Sequence, residues 1–209
     1  MQTPDDIYEN GNNLPLVEEF YTLQGEGYNT GKAAYFIRLG GCDIGCKWCD
    51  AKFTWNKQFH NLTNVNEIVK NALASSARAI VVTGGEPLSY NLNALCKELK
   101  NHNFETFIET SGCYEITGIW DWICLSPKEN NPPLGQIYKI ANELKVIISS
   151  EKDFEWAEFN STKVNENCVL YLQPEWSLYN KTINSIVEYI KQNPKWRISL
   201  QSHKFMNIP

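Results

Sequence analysis

The sequence lacks the features that would direct it to a membrane, to secretion or to nucleic acid. No stretch approaches the roughly 18 consecutive apolar residues that a membrane-spanning helix needs. The first residues are polar and acidic, with no basic region followed by an apolar run, so we expect no signal peptide. Basic residues number 19 against 24 acidic ones and form no block, which argues against nucleic-acid binding as the main activity. We therefore expect a cytoplasmic protein with no membrane or nucleic-acid partner.

The composition that remains is that of an ordinary globular chain. The 209 residues are 43% hydrophobic and 21% charged, which provides enough apolar material to bury one core. The sequence contains no internal repeat, low-complexity segment or linker-like stretch. We therefore expect a single domain over residues 1–209.

Short runs of β-branched and aromatic residues alternate with helical patterns along the chain. Such runs, bounded by turn-forming residues, predict strands at 33–41, 79–87, 104–112, 122–128, 144–150, 168–176 and 196–203. Apolar residues at helical spacing predict helices at 65–77, 91–101 and 181–192, with Asn64 capping the first. This alternation predicts parallel strands joined by crossover connections. Since six or seven strands are too few for an eight-stranded barrel, a partial barrel or an open α/β sheet fits better.

Glycines and polar residues gather where the predicted strands end. In a parallel α/β fold, the carboxyl ends of the strands share one edge, and ligands bind at that edge. The sequence therefore predicts that these residues converge on one site. They are Gly40, Gly41, Gly84, Gly85, Glu86, Thr110, Ser111, Gly112, Ser126, Lys128, Gln173 and His203.

Three of the seven cysteines, Cys42, Cys46 and Cys49, lie close together in the sequence. In a reducing compartment such a cluster indicates metal binding or catalysis rather than disulfides. A structural zinc site closes with four protein ligands, but the next cysteine is Cys96 and the nearest histidine is His60. An iron–sulfur cluster on three thiolates would keep one iron open, as catalytic metal sites do. The spacing favours this cluster, with structural zinc, unliganded thiols and a redox-active Cys-x2-Cys pair as alternatives.

The cysteine spacing becomes more specific beside a second motif. Trp48 precedes the last cysteine, and "TGGEP" (83–87) ends the next predicted strand. In this order, the two motifs resemble the signature and the Gly-Gly-Glu-Pro motif of the radical S-adenosylmethionine (SAM) superfamily. A tight turn alone would explain the glycines and the proline, but not a carboxylate beside a candidate cluster. The resemblance implies a partial TIM-like barrel of about six parallel strands, with a [4Fe–4S] cluster loop after the first strand.

Further segments with a recognisable pattern are spread over nearly the whole chain. They are "EEFYTLQGEGYNTG" (18–31), "FIRLGGCDIGCKWCD" (36–50), "ETSG" (109–112), "SPK" (126–128), "ELK" (143–145), "QP" (173–174) and "QSHKFMNIP" (201–209). Together they resemble the 7-carboxy-7-deazaguanine synthase family of that superfamily. The resemblance implies a lyase that converts 6-carboxy-5,6,7,8-tetrahydropterin to 7-carboxy-7-deazaguanine with loss of ammonia, on the route to queuosine. It also implies a homodimer, an electron donor of flavodoxin or ferredoxin type, and an N-terminal extension, 1–32, that contributes to the substrate pocket.

The resemblance also implies a cofactor site. A [4Fe–4S] cluster would lie on Cys42, Cys46 and Cys49, and SAM would take the open iron. One electron from the cluster would cleave SAM to a deoxyadenosyl radical, while the protein positions the cofactor and excludes water. Packing and capping are the alternative roles of the residues implied to bind SAM, which are Trp48, Gly84, Gly85, Glu86, Glu109, Ser126, Lys128 and Gln173.

The implied substrate site draws on both ends of the chain. Gln24 and Glu26 would recognise the aminopyrimidinone edge of the pterin with amide and carboxylate groups. Arg38 would hold the substrate carboxylate with its planar guanidinium, unless it simply pairs with Glu26. His203 and the terminal carboxylate of Pro209 would close over the substrate, unless the terminus is frayed.

Magnesium is the point at which this sequence departs from the family pattern. The family uses Mg²⁺, an ion that prefers oxygen ligands and keeps several waters. Many members have Ser or Thr after the Cys-Asp pair, where this chain has Ala51 after Cys49 and Asp50. Either substrate and water alone hold the ion, or Asp50 or Thr54 replaces the hydroxyl, or the ion is dispensable. These possibilities stay open.

Two other functions share part of this pattern. An activase that places a glycyl radical on a partner protein would carry the same cysteines and cofactor motif. It would not need a small-molecule pocket around Gln24, Glu26 and Arg38. A zinc-stabilised α/β binding module would keep the cysteines without catalysis. Product formation separates the first rival from a synthase, and metal content with the absorption spectrum separates the second.

Overall fold

The computed structural model describes residues 10–209, which form one mixed sheet of nine strands. The first and third strands make antiparallel pairs, and the other neighbouring strands run parallel. The strands are β1 (Asn13–Leu23), β2 (Ala33–Leu39), β3 (Asn61–Asn64), β4 (Ala79–Gly84), β5 (Glu105–Thr110), β6 (Trp122–Leu125), β7 (Glu143–Ile148), β8 (Val169–Pro174) and β9 (Trp196–Ile198).

The order of the strands makes the sheet an incomplete barrel. It runs β3-β1-β2-β4-β5-β6-β7-β8-β9, and within residues 10–209 the edge strands β3 and β9 do not pair with each other. The parallel set comprises β2 and β4 to β9, which confirms the expected partial barrel with one strand more than the six expected. The cysteine loop follows β2, the first parallel strand, and not the first strand of the chain. The expectation of a loop after the first strand therefore holds only for the parallel set.

Helices lie in the connections between successive parallel strands, except between β5 and β6, and they cover the sheet. As predicted, Asn64 caps the first of them, its side-chain oxygen accepting from the Asn66 N–H at 3.0 Å. Among residues 10–209, no helix is both long enough and apolar enough to cross a membrane. The helices are α1 (Val65–Leu73), α2 (Asn93–Asn101), α3 (Gly135–Ile140), α4 (Asp153–Ser161), α5 (Tyr179–Gln192) and α6 (Ser202–Met206).

The sequence patterns missed β1, β3, α3, α4 and α6. Strand β3 has 4 residues and helices α3 and α6 have 6 and 5, too few to show a periodic pattern. In α4, Phe154, Trp156 and Phe159 do not fall on one helical face. The last predicted strand, 196–203, is divided between β9 and α6.

Side chains of the parallel strands alternate between a helix-covered outer face and the barrel interior. In β4, Val82 belongs to the large outer core, whereas Val81 packs inside the barrel with Phe36 of β2. Closer to the carboxyl ends of the strands, the inward positions become polar. The barrel interior is therefore apolar in its lower part and opens into a polar cleft at the carboxyl ends of the strands. The strand residues that point into this cleft include Arg38, Glu109, Lys145 and Gln173.

Candidate active site

A cleft of about 370 Å³ opens at the carboxyl ends of the parallel strands. It brings together all the residues that the sequence resemblance assigned to a site, except Thr54. Of the twelve strand-end residues predicted to converge, nine line this cleft and Gly40, Gly41 and Gly112 do not. The roles of the individual residues stay predictions. The predicted residues that line the cleft are Gln24, Glu26, Arg38, Cys42, Cys46, Trp48, Cys49, Asp50, Ala51, Gly84, Gly85, Glu86, Glu109, Ser126, Lys128, Gln173, His203 and Pro209.

The loop after β2 carries Cys42, Cys46 and Cys49, all half-buried against the cleft. Gly41 and Gly45 have φ angles of +97° and +68°, so glycine lets the loop reverse direction at these points. Burial raises the pKa of the Cys42 and Cys46 thiols above the usual range. The protein alone therefore favours the protonated thiols, and a coordinated metal would supply the positive charge that stabilises the thiolates.

These thiols fit an iron–sulfur cluster better than a single ion. In the described part of the chain, no group of three or more His, Cys, Asp or Glu side chains could hold one metal ion. Zn²⁺ needs each thiolate at about 2.3 Å from one centre, whereas the thiolates of a [4Fe–4S] cluster bind different irons and can stand apart. The backbone of Gly85 packs directly against the cysteine loop. A Cβ at this position would overlap the Gly41 carbonyl and approach Cys42.

Backbone hydrogen bonds join the "TGGEP" turn after β4 to the cysteine loop. The Gly85 N–H donates to the Leu39 carbonyl at 2.8 Å, and the Glu86 N–H donates to the Gly41 carbonyl at 2.9 Å. Gly84 has a φ of +132°, and a Cβ at this position would overlap the Leu39 backbone. The two sequence motifs are therefore one structural unit whose close approach requires glycine.

The Glu86 carboxylate anchors this unit to the turn after β5. Its side chain accepts hydrogen bonds from the Leu88 N–H at 3.0 Å and the Thr110 hydroxyl at 2.5 Å. Ser111 donates its N–H at 2.8 Å and its hydroxyl at 2.5 Å. The residue is only 1% exposed. A contact between Glu86 and the SAM amino group stays a prediction, and it would share oxygens that already hold the turn.

Lys128 of the "SPK" motif places a cation beside the cysteine loop. Its ammonium donates to the carbonyl and the hydroxyl of Ser126, both at 2.6 Å, and lies 5.2 Å from the ring centre of Trp48. Burial lowers the pKa of Lys128, although the nearby Cys46 thiolate would oppose this shift. A cation here suits anionic ligands such as metal-bound thiolates or a carboxylate.

A second polar group in the cleft centres on Lys145 of β7. Its ammonium pairs with the carboxylates of Glu26 and Glu109, the latter at 3.1 Å. The Gln24 amide donates to Glu109 at 2.8 Å, while its carbonyl accepts from the Glu26 N–H at 3.1 Å. Gln201 also donates to Glu26, at 2.8 Å. Burial opposes the ionisation of Glu26, but the charge of Lys145 and these hydrogen bonds outweigh burial and lower the pKa of Glu26 to about 2.

Arg38 pairs with Glu18 and not with Glu26, the partner suggested as the alternative to a role in substrate binding. Its Nε lies 2.7 Å from Glu18, the neighbouring residue across the β1–β2 pair. The suggested pairing of Arg38 with Glu26 is therefore wrong, since Glu26 pairs with Lys145. Gln173 of β8 accepts a hydrogen bond from the Ser199 hydroxyl at 2.6 Å.

The C-terminal segment is fastened to the N-terminal loop at the cleft. The Ser202 N–H and hydroxyl donate to the Gly25 carbonyl at 2.9 and 2.8 Å. A Cβ at Gly25 would overlap the His203 ring, so glycine is needed for this contact. Burial lowers the pKa of His203, which favours the neutral ring. Pro209 is exposed and lies at the cleft, so its closing role stays a prediction.

The two candidate magnesium ligands are already engaged. Asp50 pairs with Lys204 at 2.5 Å and accepts from Gln201 at 3.1 Å. Thr54 is fully buried, and its hydroxyl donates to the Ala51 carbonyl at 2.7 Å. Both contacts of Asp50 fall on Oδ2, and the Lys204 ammonium beside it would repel a second cation. Mg²⁺ at Asp50 would therefore compete with Lys204, and the role of Asp50 or Thr54 as a ligand stays a prediction.

Sequence reasoning gave no role to three residues that line the cleft, Lys145, Gln201 and Lys204, or to the buried Glu143 of β7. For Glu143 and Lys145, the available signal was the "ELK" segment, where charges interrupt an otherwise apolar strand. A strand buried on both faces seldom carries charges unless they are paired. Their partners are distant in sequence, so the signal indicates pairing without naming the partner.

Comparison with known proteins agrees with this arrangement. The Radical SAM superfamily matches residues 36–117, which span the cysteine loop and the "TGGEP" turn. The partial barrel with this unit at its carboxyl edge defines a radical SAM enzyme. The 7-carboxy-7-deazaguanine synthase of Flavobacterium psychrophilum is 56% identical to this chain. The match covers 96% of this chain and 95% of the Flavobacterium protein. For that of Synechocystis sp. the identity is 48%, with 93% of both chains covered.

A solved structure supports the same assignment. The crystal structure of QueE from Escherichia coli has a TM-score of 0.80 and 32% identity, and the match covers 97% of this chain and 100% of the other. With relatives this similar over nearly their whole length, the chain belongs to the 7-carboxy-7-deazaguanine synthase family.

Proposed function

We propose that the cleft is the active site and that its residues divide into a cofactor side and a substrate side. As a member of its family, the protein is a radical SAM lyase of queuosine biosynthesis. It converts 6-carboxy-5,6,7,8-tetrahydropterin to 7-carboxy-7-deazaguanine with loss of ammonia. The assignment of single residues to the two sides is the new part of the proposal.

On the cofactor side, Cys42, Cys46 and Cys49 would bind three irons of the cluster. A [4Fe–4S] cluster with SAM supplies, when bound, the one-electron cleavage that generates the initiating radical. Lys128 would balance part of the negative charge with its ammonium. Trp48 would cover one side of the cofactor and exclude water from it.

The remaining cofactor contacts would come from strand ends. Gly84 and Gly85 have no side chains, so a bound cofactor could come close to the backbone groups of this turn. Carboxylate, hydroxyl and amide groups around it can accept from the amino and ribose groups of SAM or donate to its adenine and carboxylate. The residues proposed for these contacts are Gly84, Gly85, Glu86, Glu109, Ser126 and Gln173.

On the substrate side, Glu26 and Gln24 would bind the aminopyrimidinone edge of the pterin. An ionised carboxylate accepts hydrogen bonds from the ring N–H and amino groups, while the amide can both donate and accept. Arg38 would pair with the substrate carboxylate and exchange part of its contact with Glu18. His203 and the carboxylate of Pro209 would close the cleft over the bound ring.

One observation carries the proposal: the three half-buried thiols and the carboxylates around Lys145 line the same cleft. The test uses protein reconstituted anaerobically with iron and sulfide, and supplied with the carboxytetrahydropterin, SAM and a reductant. We expect a brown protein and formation of 7-carboxy-7-deazaguanine, detected by mass spectrometry. Cleavage of SAM without this product would favour an activase. A colourless protein that binds zinc would favour a binding module.

The finer features of the family belong to the proposal as well. We propose that Mg²⁺, where it acts, is held by substrate and water, since Asp50 and Thr54 are engaged. A flavodoxin or ferredoxin would dock beside the cysteine loop, where exposed Lys47, Lys52 and Phe53 provide basic and apolar contacts for an acidic protein. The chain would act in the cytoplasm as a homodimer.

The single domain over 1–209 is also proposed, with its extension, 1–32, contributing to the substrate pocket. Gln24, Gly25 and Glu26 line the cleft and support this role of the extension. Residues 1–9 lie outside the described residues.

A further inference from the structure

Lys145 is almost completely buried behind the two carboxylates with which it pairs. Its side chain is 4% exposed, whereas the side chains of Glu26 and Glu109 are 15% and 23% exposed. All three residues line the cleft. The lysine therefore supports the carboxylates from behind, and the carboxylates keep the surface that a ligand can reach.

The fold fixes this position from three separate places in the chain. Lys145 projects inward from β7, whose neighbouring residues Leu144 and Val146 pack in the outer core. Glu109 comes from β5, two strands away, and Glu26 from the loop after β1. A buried ammonium is costly unless it is paired, and each carboxylate is costly without a cation. The three groups therefore hold one another in place.

We propose that Lys145 is a positioning residue for the pterin: its ammonium keeps Glu26 oriented and ionised, so that this carboxylate accepts hydrogen bonds from the ring, while Glu109, a proposed SAM contact, pairs with the same ammonium. This inference rests on the proposed function, because it takes Glu26 as a ligand of the substrate. An ionised carboxylate only accepts hydrogen bonds, whereas a protonated one carries an O–H that would face the ring donors. Binding of the pterin therefore depends on the charge state that Lys145 maintains.

Electrostatics of the site agrees with this role. Burial alone would raise the pKa of Glu26, but Lys145 reverses the shift and lowers it to about 2, far below the pH of an assay. Burial would lower the pKa of Lys145, but the surrounding acidic groups raise it well above its usual value. The other titratable or charged groups near the trio are Cys124, Glu143, Lys128, His203 and Asp50.

The test compares Lys145→Met with Lys145→Arg in the reconstituted holoenzyme. Methionine keeps a long side chain without the charge, so the pKa of Glu26 should rise and the carboxylate should take up a proton as the pH falls. We expect the KM for the carboxytetrahydropterin to rise about 10- to 100-fold and to rise further from alkaline to neutral pH. Arginine keeps the charge, so its pH profile should match that of the unmodified enzyme, with a smaller increase in KM.

Two controls separate positioning from a loss of folding or of the cofactor site. Lys195→Met removes an exposed lysine that pairs with Glu158 at 2.5 Å, and it should leave the KM unchanged. Cleavage of SAM by reduced enzyme without substrate should fall much less than substrate turnover in the Lys145→Met variant, since the lysine does not hold the cluster and its partner Glu109 is only one of several proposed SAM contacts. If Lys145→Met does not fold, the test rests on the dependence of the KM on pH in Lys145→Arg. A normal dependence is the expected result, and a rise in KM from alkaline to neutral pH overturns the proposal.

The proposal is overturned if Lys145→Met retains the normal KM and pH profile, or if Lys145→Arg shows the pH-dependent loss expected for methionine. It is also overturned if substrate turnover and substrate-free SAM cleavage fall by the same factor in a folded Lys145→Met variant. Failure of the proposed function gives a different result, because the unmodified enzyme would then form no 7-carboxy-7-deazaguanine at all.

Discussion

The cysteine loop and the Lys145 group lie in one cleft but are organised in opposite ways. The loop is a local structure, in which Cys42, Cys46 and Cys49 follow a single strand and are half-buried. Burial raises the pKa of two of these thiols, so the protein by itself opposes the ionised form that binds metal. Around Lys145, by contrast, the charges are paired within the protein and the pKa of Glu26 is held at about 2.

This difference indicates what each side requires in order to work. The thiols become thiolates when a metal binds, so the cofactor side is completed by its cofactor. The substrate side already has its charges and orientations before any ligand arrives, which reduces the cost of ordering it on binding. Loss of a cysteine should therefore remove the cofactor, whereas changes near Lys145 should weaken substrate binding and leave the cofactor in place.

The largest effect is expected from Cys46→Ala, which removes one cluster ligand. We expect iron content and visible absorption to be lost and product formation to fall below detection. Cys168→Ala is the matched control, because Cys168 is buried in the outer core and should have no part in the cluster. Product formation by a Cys46→Ala protein would contradict the assignment of the cofactor side.

A large but selective effect is expected from Glu26→Gln. The amide puts N–H donors next to Lys145 and the ring donors, so the KM for the pterin should rise about 10- to 100-fold. SAM cleavage without substrate should continue. The control is Glu188→Gln, which changes an exposed glutamate paired with Lys191. An equal loss of both reactions would show that the two sides of the cleft are not separable.

Glu26 should also contribute to the pH dependence of stability. Its folded pKa of about 2 lies below its ordinary value of 4.5. The ionised carboxylate therefore stabilises the fold fully above pH 4.5, and this contribution is lost as the pH falls from 4.5 towards 2. In acid denaturation followed by circular dichroism, Glu26→Gln should lack this component, and an unchanged profile would contradict the pairing with Lys145.

The same contrast explains what could be predicted from the sequence. The cysteine loop and the "TGGEP" turn are contiguous segments, so spacing and residue type were sufficient to identify them. Lys145 takes its partners from positions 26 and 109, and such pairing is fixed by the strand order. Strand–helix alternation predicted parallel strands in a partial barrel or an open sheet, and the family resemblance implied the barrel. The antiparallel strands β1 and β3 did not, because that alternation indicates only the parallel part of the sheet.

A smaller effect on stability is expected from Gly27→Ala in the loop that carries Glu26. Gly27 has a φ of +64°, and a Cβ there would overlap the buried Glu143 carboxylate. Gly31→Ala is the matched control, since Gly31 has a φ of +87° but no atom within 4 Å of an added Cβ. Left-handed backbone should cost each variant about 1–2 kcal/mol.

The clash with Glu143 should make Gly27→Ala the less stable of the two variants. Denaturant unfolding measures both free energies, and the KM for the pterin reports whether the loop has moved. We expect a raised KM for Gly27→Ala alone. Equal stability and equal KM in the two variants would show that Glu143 does not position this loop.

The smallest effect is expected at Ala51, on the border between the two sides of the cleft. Ala51→Thr supplies the hydroxyl that many family members have, and a hydroxyl oxygen is a suitable ligand for Mg²⁺. Ala51→Val has nearly the same shape without the hydroxyl, so it controls for packing. We expect Ala51→Thr to increase the stimulation of product formation by Mg²⁺ a few-fold, and Ala51→Val to leave it unchanged. A similar response of both variants would mean that Mg²⁺ does not bind at this position, because only threonine adds an oxygen.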